Sequence, residues 1–257
     1  MIRFPAMAWK YLELETPDEL LVVRLNRPPA NALVAELLEE GCALIEELRP
    51  DPPRAVVITG AGEFFSGGVD LKVAPSLSTV EQSRMVAGIN ELFAAWYGLW
   101  RPVVAAVNGH AVAGGLILAL CADHRIGAEG ATYGLTEARV GIPYPAAAMG
   151  VVKAELGPGV TRRLVLGAEL IESELAREWG LLDELIPAER VVERALDVAR
   201  ELSALPPQTY AEVKQQLRGA TLEAIRAAVE RDSMGTAWLH AETQAAAEAT
   251  LRRPREE

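Results

Sequence analysis

Three groups of residues in this 257-residue chain have the types and spacing for chemistry on a developing anion. Ala113-Gly114-Gly115 follows an apolar run, Val103–Val107, and opens an apolar stretch at helical spacing. Ser66-Gly67-Gly68-Val69-Asp70 follows a second apolar run, Ala55–Thr59. Paired glycines let backbone approach a ligand without an intervening Cβ. Two such loops at the same ends of neighbouring strands can each aim one N–H at a shared oxygen. A helix opening at Gly114 adds a potential that favours negative charge. Downstream, Glu137 in YGLTE offers a carboxylate that can take a proton. Backbone donors for an oxyanion and one base together suit enolate chemistry. Taken singly, a glycine pair is better explained as a tight turn, and Glu137 as a surface or capping acid. The pairing of the loops shifts that reading.

Other chemistries find little support. The chain has no G-x-x-x-x-G-K-[ST] phosphate loop and no G-x-G-x-x-G fingerprint, and Ser66 is not in a G-x-S-x-G elbow. His110, His124 and His240 lack metal-ligand spacing, so no metal is expected. His110 is kept as a candidate because it follows Asn108-Gly109 at a strand end, although packing explains it more simply. Cys42 and Cys121 lie in apolar helical patterns with neither disulfide nor metal spacing, as befits buried thiols in a reducing, cytoplasmic setting. A net charge of −11 disfavours nucleic acid and anionic membranes as partners, but leaves room for a small anion held by local Arg or Lys. No run approaches the roughly 20 apolar residues of a membrane span. Pro5 and Lys10 interrupt the N-terminal apolar residues before a signal sequence forms.

These groups need a frame to position them. Half of the residues are hydrophobic, enough for a sizeable core. Tyr11–Leu14 and Leu20–Leu25 read as strands around a turn at Thr16-Pro17-Asp18. Asn31 reads as the N-cap of a helix to Leu48, and Glu63–Lys72 as a loop and turn. Ser78-x-x-Glu81 is a capping box for a helix to about Leu99. Further strands are expected at His124–Ala128, near Thr132 and at Leu182–Ile186, with a helix at Pro145–Leu156. Beyond Gly157-Pro158-Gly159 the chain reads as helical at Thr161–Leu166, Ser173–Trp179, Glu189–Leu205, Pro207–Leu217 and Thr221–Arg252. Alternating strands and helices followed by a helical third make an α/β fold with a helical cap.

Val103–Asp123, preceded by FFSGGVDLK and followed by YGLTEARVGIPYP, resembles the crotonase (enoyl-CoA hydratase/isomerase) superfamily. The likeness begins at LNRPPANAL (Leu25–Leu33) and continues through RRLVLGAELIESELAREWGLLDELIP, nearly the whole chain in order. It implies a spiral of ββα units over residues 1–190, with a helical trimerisation and cap region over 191–257. It also implies a trimer or dimer of trimers and an acyl-coenzyme A thioester substrate. Coenzyme A then enters with the substrate, and no separate cofactor is expected. The family's oxyanion donors fall on the N–H groups of Val69 and Gly114. An acyl site would involve Ser66, Gly67, Gly68, Asp70, Leu71 and His110. Ala113, Ile117, Leu135, Ile142 and Tyr144 complete it. Leu135 and Ile142 would desolvate Glu137, and Tyr144 would line the pocket or donate a hydrogen bond. Arg27, Lys72 and Lys214 are candidates for the coenzyme A phosphates.

One departure matters most. The two glutamates of a hydratase map onto Ile117 and Glu137, so only the second is present. A single carboxylate suits a proton shuttle that moves a 3-enoyl double bond to the 2-position, as in the single-glutamate Δ3,Δ2-enoyl-CoA isomerases. Hydration, decarboxylation, thioester hydrolysis, C–C cleavage and a non-catalytic acyl-CoA-binding role remain as alternatives.

Overall fold

The apolar runs become the strands of two sheets, and the order in which the chain visits them builds the site. A computed structural model describes residues 9–231 and 238–252. The chain opens with an antiparallel pair, β1 (Leu12–Glu15) and β2 (Leu20–Leu25), then helix α1 (Ala35–Leu48). Next come β3 (Ala55–Gly60), β4 (Phe64–Ser66) and α2 (Thr79–Tyr97). The same unit returns as β5 (Val103–Val107), β6 (His110–Val112) and α3 (Gly114–Leu120). It returns again as β7 (His124–Ala128), β8 (Thr132–Gly134) and α4 (Ala146–Glu155). Then follow α5 (Pro158–Gly167), β9 (Leu170–Glu172), α6 (Ser173–Glu178) and β10 (Glu184–Ile186). The chain closes with α7 (Val191–Ser203), α8 (Pro207–Arg231) and α9 (Thr243–Arg252).

In each unit the first strand joins a six-stranded sheet, order β1-β2-β3-β5-β7-β10, and the second joins a four-stranded sheet, order β4-β6-β8-β9. This is a spiral of ββα units. From β2 onward the larger sheet is parallel. β3 and β5 are buried along their whole length, so their sequences are continuously apolar rather than alternating. α7 buries Val191, Ala195, Val198 and Ala199 and packs against β3, β5 and β7. Thus the first helix beyond residue 190 lies on the larger sheet.

Several expectations need correction. β6 and β9 were not foreseen, and β4 fell within the expected loop. Each is three residues long, too short to display a period. Asn31 caps nothing: α1 begins at Ala35, with Val34 in the cap position and no side-chain cap. Asn31 is instead buried with a φ of 48°, and its amide donates to Ala61 O (2.9 Å) and Phe64 O (2.7 Å). Its side-chain oxygen accepts from Arg27 N (3.0 Å), so it staples the loops flanking the glycine run. α8 passes through Gly219 without a break, because a mid-helix glycine costs only about 1 kcal/mol. Residues 232–237, which the sequence reading places in one helix, lie outside the described residues. The capping box at Ser78 and Glu81 is present as expected, with Ser78 Oγ accepting from Glu81 N.

A buried ionic cluster ties α8 to the spiral. Asp123 accepts from Val103 N (2.8 Å) and Lys214 Nζ (2.6 Å), with Arg218 Nη2 3.3 Å away. Arg218 also donates to Cys121 O and Ala122 O, both at 2.9 Å, just past the end of α3. A guanidinium on the last carbonyls of a helix satisfies groups the helix cannot. Cys121 is enclosed, and burial pushes its thiol up to about 12, which makes it an inert packing residue.

Candidate active site

The two glycine loops meet. A Cβ on Gly68 would lie 2.8 Å from Ala113 Cβ and 2.9 Å from Gly114 N, and one on Gly115 would lie 2.1 Å from Ser66 O. Gly68 also has a φ of 76°. Neither contact leaves room for a side chain, so these glycines hold the loops together as well as turning the chain. Gly115→Ala is expected to separate the loops, lowering the melting temperature and abolishing activity at the site together. A variant that melts like wild type and keeps its activity would contradict this packing.

Backbone hydrogen bonds pin both loops. Leu33 N donates to Gly68 O (2.8 Å) and Asp70 N donates to Leu33 O (3.2 Å), fixing the chain on either side of Val69. Ala113 N donates to Gly134 O (2.8 Å) immediately before Gly114. Among the described residues, the N–H groups of Val69 and Gly114 donate to no protein acceptor. Ala113 holds φ 53° and ψ −130°, a conformation costing a non-glycine residue about 1–3 kcal/mol.

Both loops face a cavity of about 160 Å³. Gly67, Val69, Leu71, Ala113 and Gly114 line one side, and Ile117, Glu137, Ile142 and Tyr144 come from elsewhere in the spiral. Glu137 starts a 3-10 turn, Glu137–Val140, and its own carbonyl accepts from Ile142 N (3.0 Å). Burial pushes its carboxyl up to about 7, against a lesser opposing pull from Tyr144. Ile117 is buried in the same wall, so the position that departs from the hydratase pattern is apolar here in three dimensions as well.

Other expected site residues lie elsewhere. Ser66 Oγ donates to Asn31 O (2.9 Å) and accepts from Gly68 N (3.2 Å), which shapes the loop from behind. Asp70 accepts from Arg27 Nη2 (2.7 Å) and Lys72 N (3.0 Å) outside the cavity lining. Leu135 is enclosed in the core and does not line the cavity. His110 is a correction: it sits on β6 with its Nδ1 accepting from Thr132 N (3.0 Å) and its ring against Phe64, away from the cavity. Lys214 is a second correction. It is buried against Asp123 and Arg101 O, and desolvation pushes its amine down to about 8, so it does not face a phosphate. Arg27 is engaged by Asp70, whereas Lys72 is exposed.

The sequence reading also missed residues. Leu33, Ile89, Phe93, Trp238 and Thr250 line the cavity. Trp238 Nε1 donates to Pro143 O (2.9 Å) and Thr243 Oγ1 donates to Gly141 O (2.7 Å), so the C-terminal segment is tied to the loop after Glu137. No local signal marks a contact across 95 residues. Among the described residues, no group of three or more His, Cys, Asp or Glu could hold a metal, and no helix is long and apolar enough to cross a membrane.

Comparison with known proteins points the same way. The family model described as Enoyl-CoA hydratase/isomerase matches residues 15–250. Carnitinyl-CoA dehydratase of Escherichia coli K12 is 33% identical over 212 residues, spanning 80% of this chain and 80% of that protein. The Proteus mirabilis protein of the same description is 32% identical over 215 residues, 82% of this chain and 81% of its own. A Mycobacterium tuberculosis structure described as an enoyl-CoA isomerase superposes with a TM-score of 0.79 at 32% identity, covering 86% of this chain and 96% of that one. A second structure of the same mycobacterial protein is described as a probable enoyl-CoA hydratase, with a TM-score of 0.80 at 32% identity and coverage of 86% and 94%.

Proposed function

The chain belongs to the enoyl-CoA hydratase/isomerase family, and on that premise we propose that it is an isomerase of acyl-CoA thioesters, moving a 3-enoyl double bond into conjugation at the 2-position. One observation carries this reading: a buried carboxylate shares an apolar cavity with two undonated backbone N–H groups, and Ile117 fills the place of a second acid. In the proposed reaction, Glu137 takes a proton from C2 of the substrate. The electron pair delocalises over the carbon chain and the thioester oxygen, which accepts from Val69 N and Gly114 N. The protonated Glu137 then returns the proton at C4, and product and substrate have the same composition.

The magnitudes support this assignment. A thioester α-proton is far less acidic than a free carboxylic acid, so an ordinary carboxylate at ~4.3 is a weak base for it. Burial strengthens the base by pushing Glu137 up to about 7. Each preorganised oxyanion donor is typically worth about 3–4 kcal/mol. Water addition needs a nucleophile held and activated, and Ile117 offers neither hydrogen bond nor base. Lys72 is the remaining candidate for a coenzyme A phosphate. A trimer or dimer of trimers is the expected assembly.

A second reading rests on the E. coli and Proteus relatives, whose names describe dehydration of an acyl-CoA. Product analysis separates the two. Incubated with 3-enoyl-CoA, the protein should yield the conjugated 2-enoyl thioester with no addition of water; conversion chiefly to 3-hydroxyacyl-CoA favours the second reading. Ile117→Glu restores a second carboxylate and should raise hydration of 2-enoyl-CoA about tenfold or more. No gain in a folded variant would mean that Ile117 is not what excludes hydration.

A further inference from the structure

The cavity holds a second polar group that the proton shuttle does not use. Glu137 Oε2 and Tyr144 Oη are both buried, and neither makes a hydrogen bond of ordinary geometry within the described residues. Two orphaned polar atoms in one apolar cavity are unusual, since a buried unsatisfied group costs about 1–3 kcal/mol. We propose that Tyr144 is a positioning residue for Glu137, its phenol donating to the carboxylate whenever Glu137 is ionised and poised to accept a proton. This deepens the isomerase reading and rests on Glu137 being the base.

The surroundings leave the phenol few alternatives. Ile89, Phe93 and Ile117 present only hydrocarbon to the cavity. Trp238 Nε1 is taken by Pro143 O, and Thr250 Oγ1 donates to Ala246 O. Tyr144 lies between Pro143 and Pro145, whose rings fix φ, and the Trp238 bond anchors Pro143 from the other side. The phenol and the Glu137 carboxyl therefore face the same cavity, with Tyr144 carried on a stiff stretch of chain.

Electrostatics make it a donor only. Burial and the neighbouring carboxylate push Tyr144 well above the ordinary phenol range, so it keeps its proton at every working pH. A neutral donor favours the ionised carboxylate and opposes desolvation, which is the direction of its influence on Glu137. The other charged group of the described lining is Arg139, exposed on the turn that begins with Glu137; α2, α3 and the C-terminal segment contribute no charge to the cavity. Removing the hydroxyl should therefore raise the Glu137 pKa and leave less base at neutral pH.

The test is Tyr144→Phe, read by the pH dependence of α-proton exchange from an acyl-CoA in deuterated water. The acid limb should move up by about one pH unit, so exchange below the limb falls about tenfold while the high-pH plateau stays within a few-fold. Near pH 5, where Glu137 is protonated, the melting temperature should stay close to wild type, since the phenol donates only to the ionised carboxylate. An infrared titration of the protonated carboxyl band, assigned by its absence in Glu137→Gln, should shift by the same amount and needs no turnover. An unmoved limb and an unmoved band would overturn the proposal. Should Glu137→Gln keep full exchange, the base assignment fails instead, and the band shift still decides what Tyr144 does to Glu137.

Discussion

Glu137→Gln is expected to lower turnover of 3-enoyl-CoA by about 10²–10⁴-fold and, above neutral pH, to make the protein more stable. The first effect follows because glutamine cannot take the C2 proton, and a positioned general base typically contributes about 10²–10⁴-fold. The second follows from the direction of the pKa shift. Burial raises the Glu137 carboxyl from 4.5 to about 7. Below the unfolded value the group is protonated in both states and costs nothing. Between the two values the folded state holds the extra proton, so stability falls as pH rises. Above about 7 the full cost, on the order of 3 kcal/mol, is present. Chemical denaturation of both proteins should thus give equal stabilities near pH 4 and a variant more stable by up to that amount at pH 8. Equal stabilities at pH 8 would show that Glu137 is not desolvated. A stability cost confined to the ionised base is what a site that stores strain for function should display.

Asp123→Ala should destabilise the protein by about 3–5 kcal/mol, which for a chain of this size is roughly a 10 °C fall in melting temperature. Its carboxylate joins Val103 N on the larger sheet to Lys214 and Arg218 on α8. Alanine leaves two buried cations without their shared anion, and breaking a buried pair from one side is the costly case. Asp123→Asn keeps an acceptor for Val103 N and should lose less. The same cluster places Arg218 on Cys121 O and Ala122 O beyond α3, and α3 begins at Gly114. Loss of Asp123 should therefore weaken activity along with stability. A thermal melt within 2–3 °C of wild type, about 1 kcal/mol, would contradict the account of the cluster.

What the sequence made legible was what local chemistry writes into it. The continuous apolar runs of β3 and β5 marked buried strands, and Ser78 with Glu81 marked the start of α2. The glycine pairs were readable because close approach forbids any other residue at Gly68 and Gly115. Of the second sheet only β8, near Thr132, was legible: its strands have three residues each and pair with partners far along the chain. Asn31 looked like a helix cap because Asn suits both caps and left-handed turns, and only tertiary contacts decide between them. Lys214 read as a candidate for a coenzyme A phosphate because its partner, Asp123, lies 91 residues away in the sequence. Trp238 reaches the cavity from the C-terminal segment, where spacing along the chain says nothing of proximity.

The central claim is that one enclosed carboxylate carries a proton from C2 to C4 of the same substrate. Its most direct test uses 3-enoyl-CoA deuterated at C2, in ordinary water, with the product analysed for the position of the label. Because Glu137 is buried in an apolar cavity, a substantial share of the deuterium should reappear at C4 of the conjugated product, and Glu137→Gln should yield none. Conversion of the labelled substrate mainly to 3-hydroxyacyl-CoA, or a Glu137→Gln variant that transfers the label as wild type does, would contradict the account.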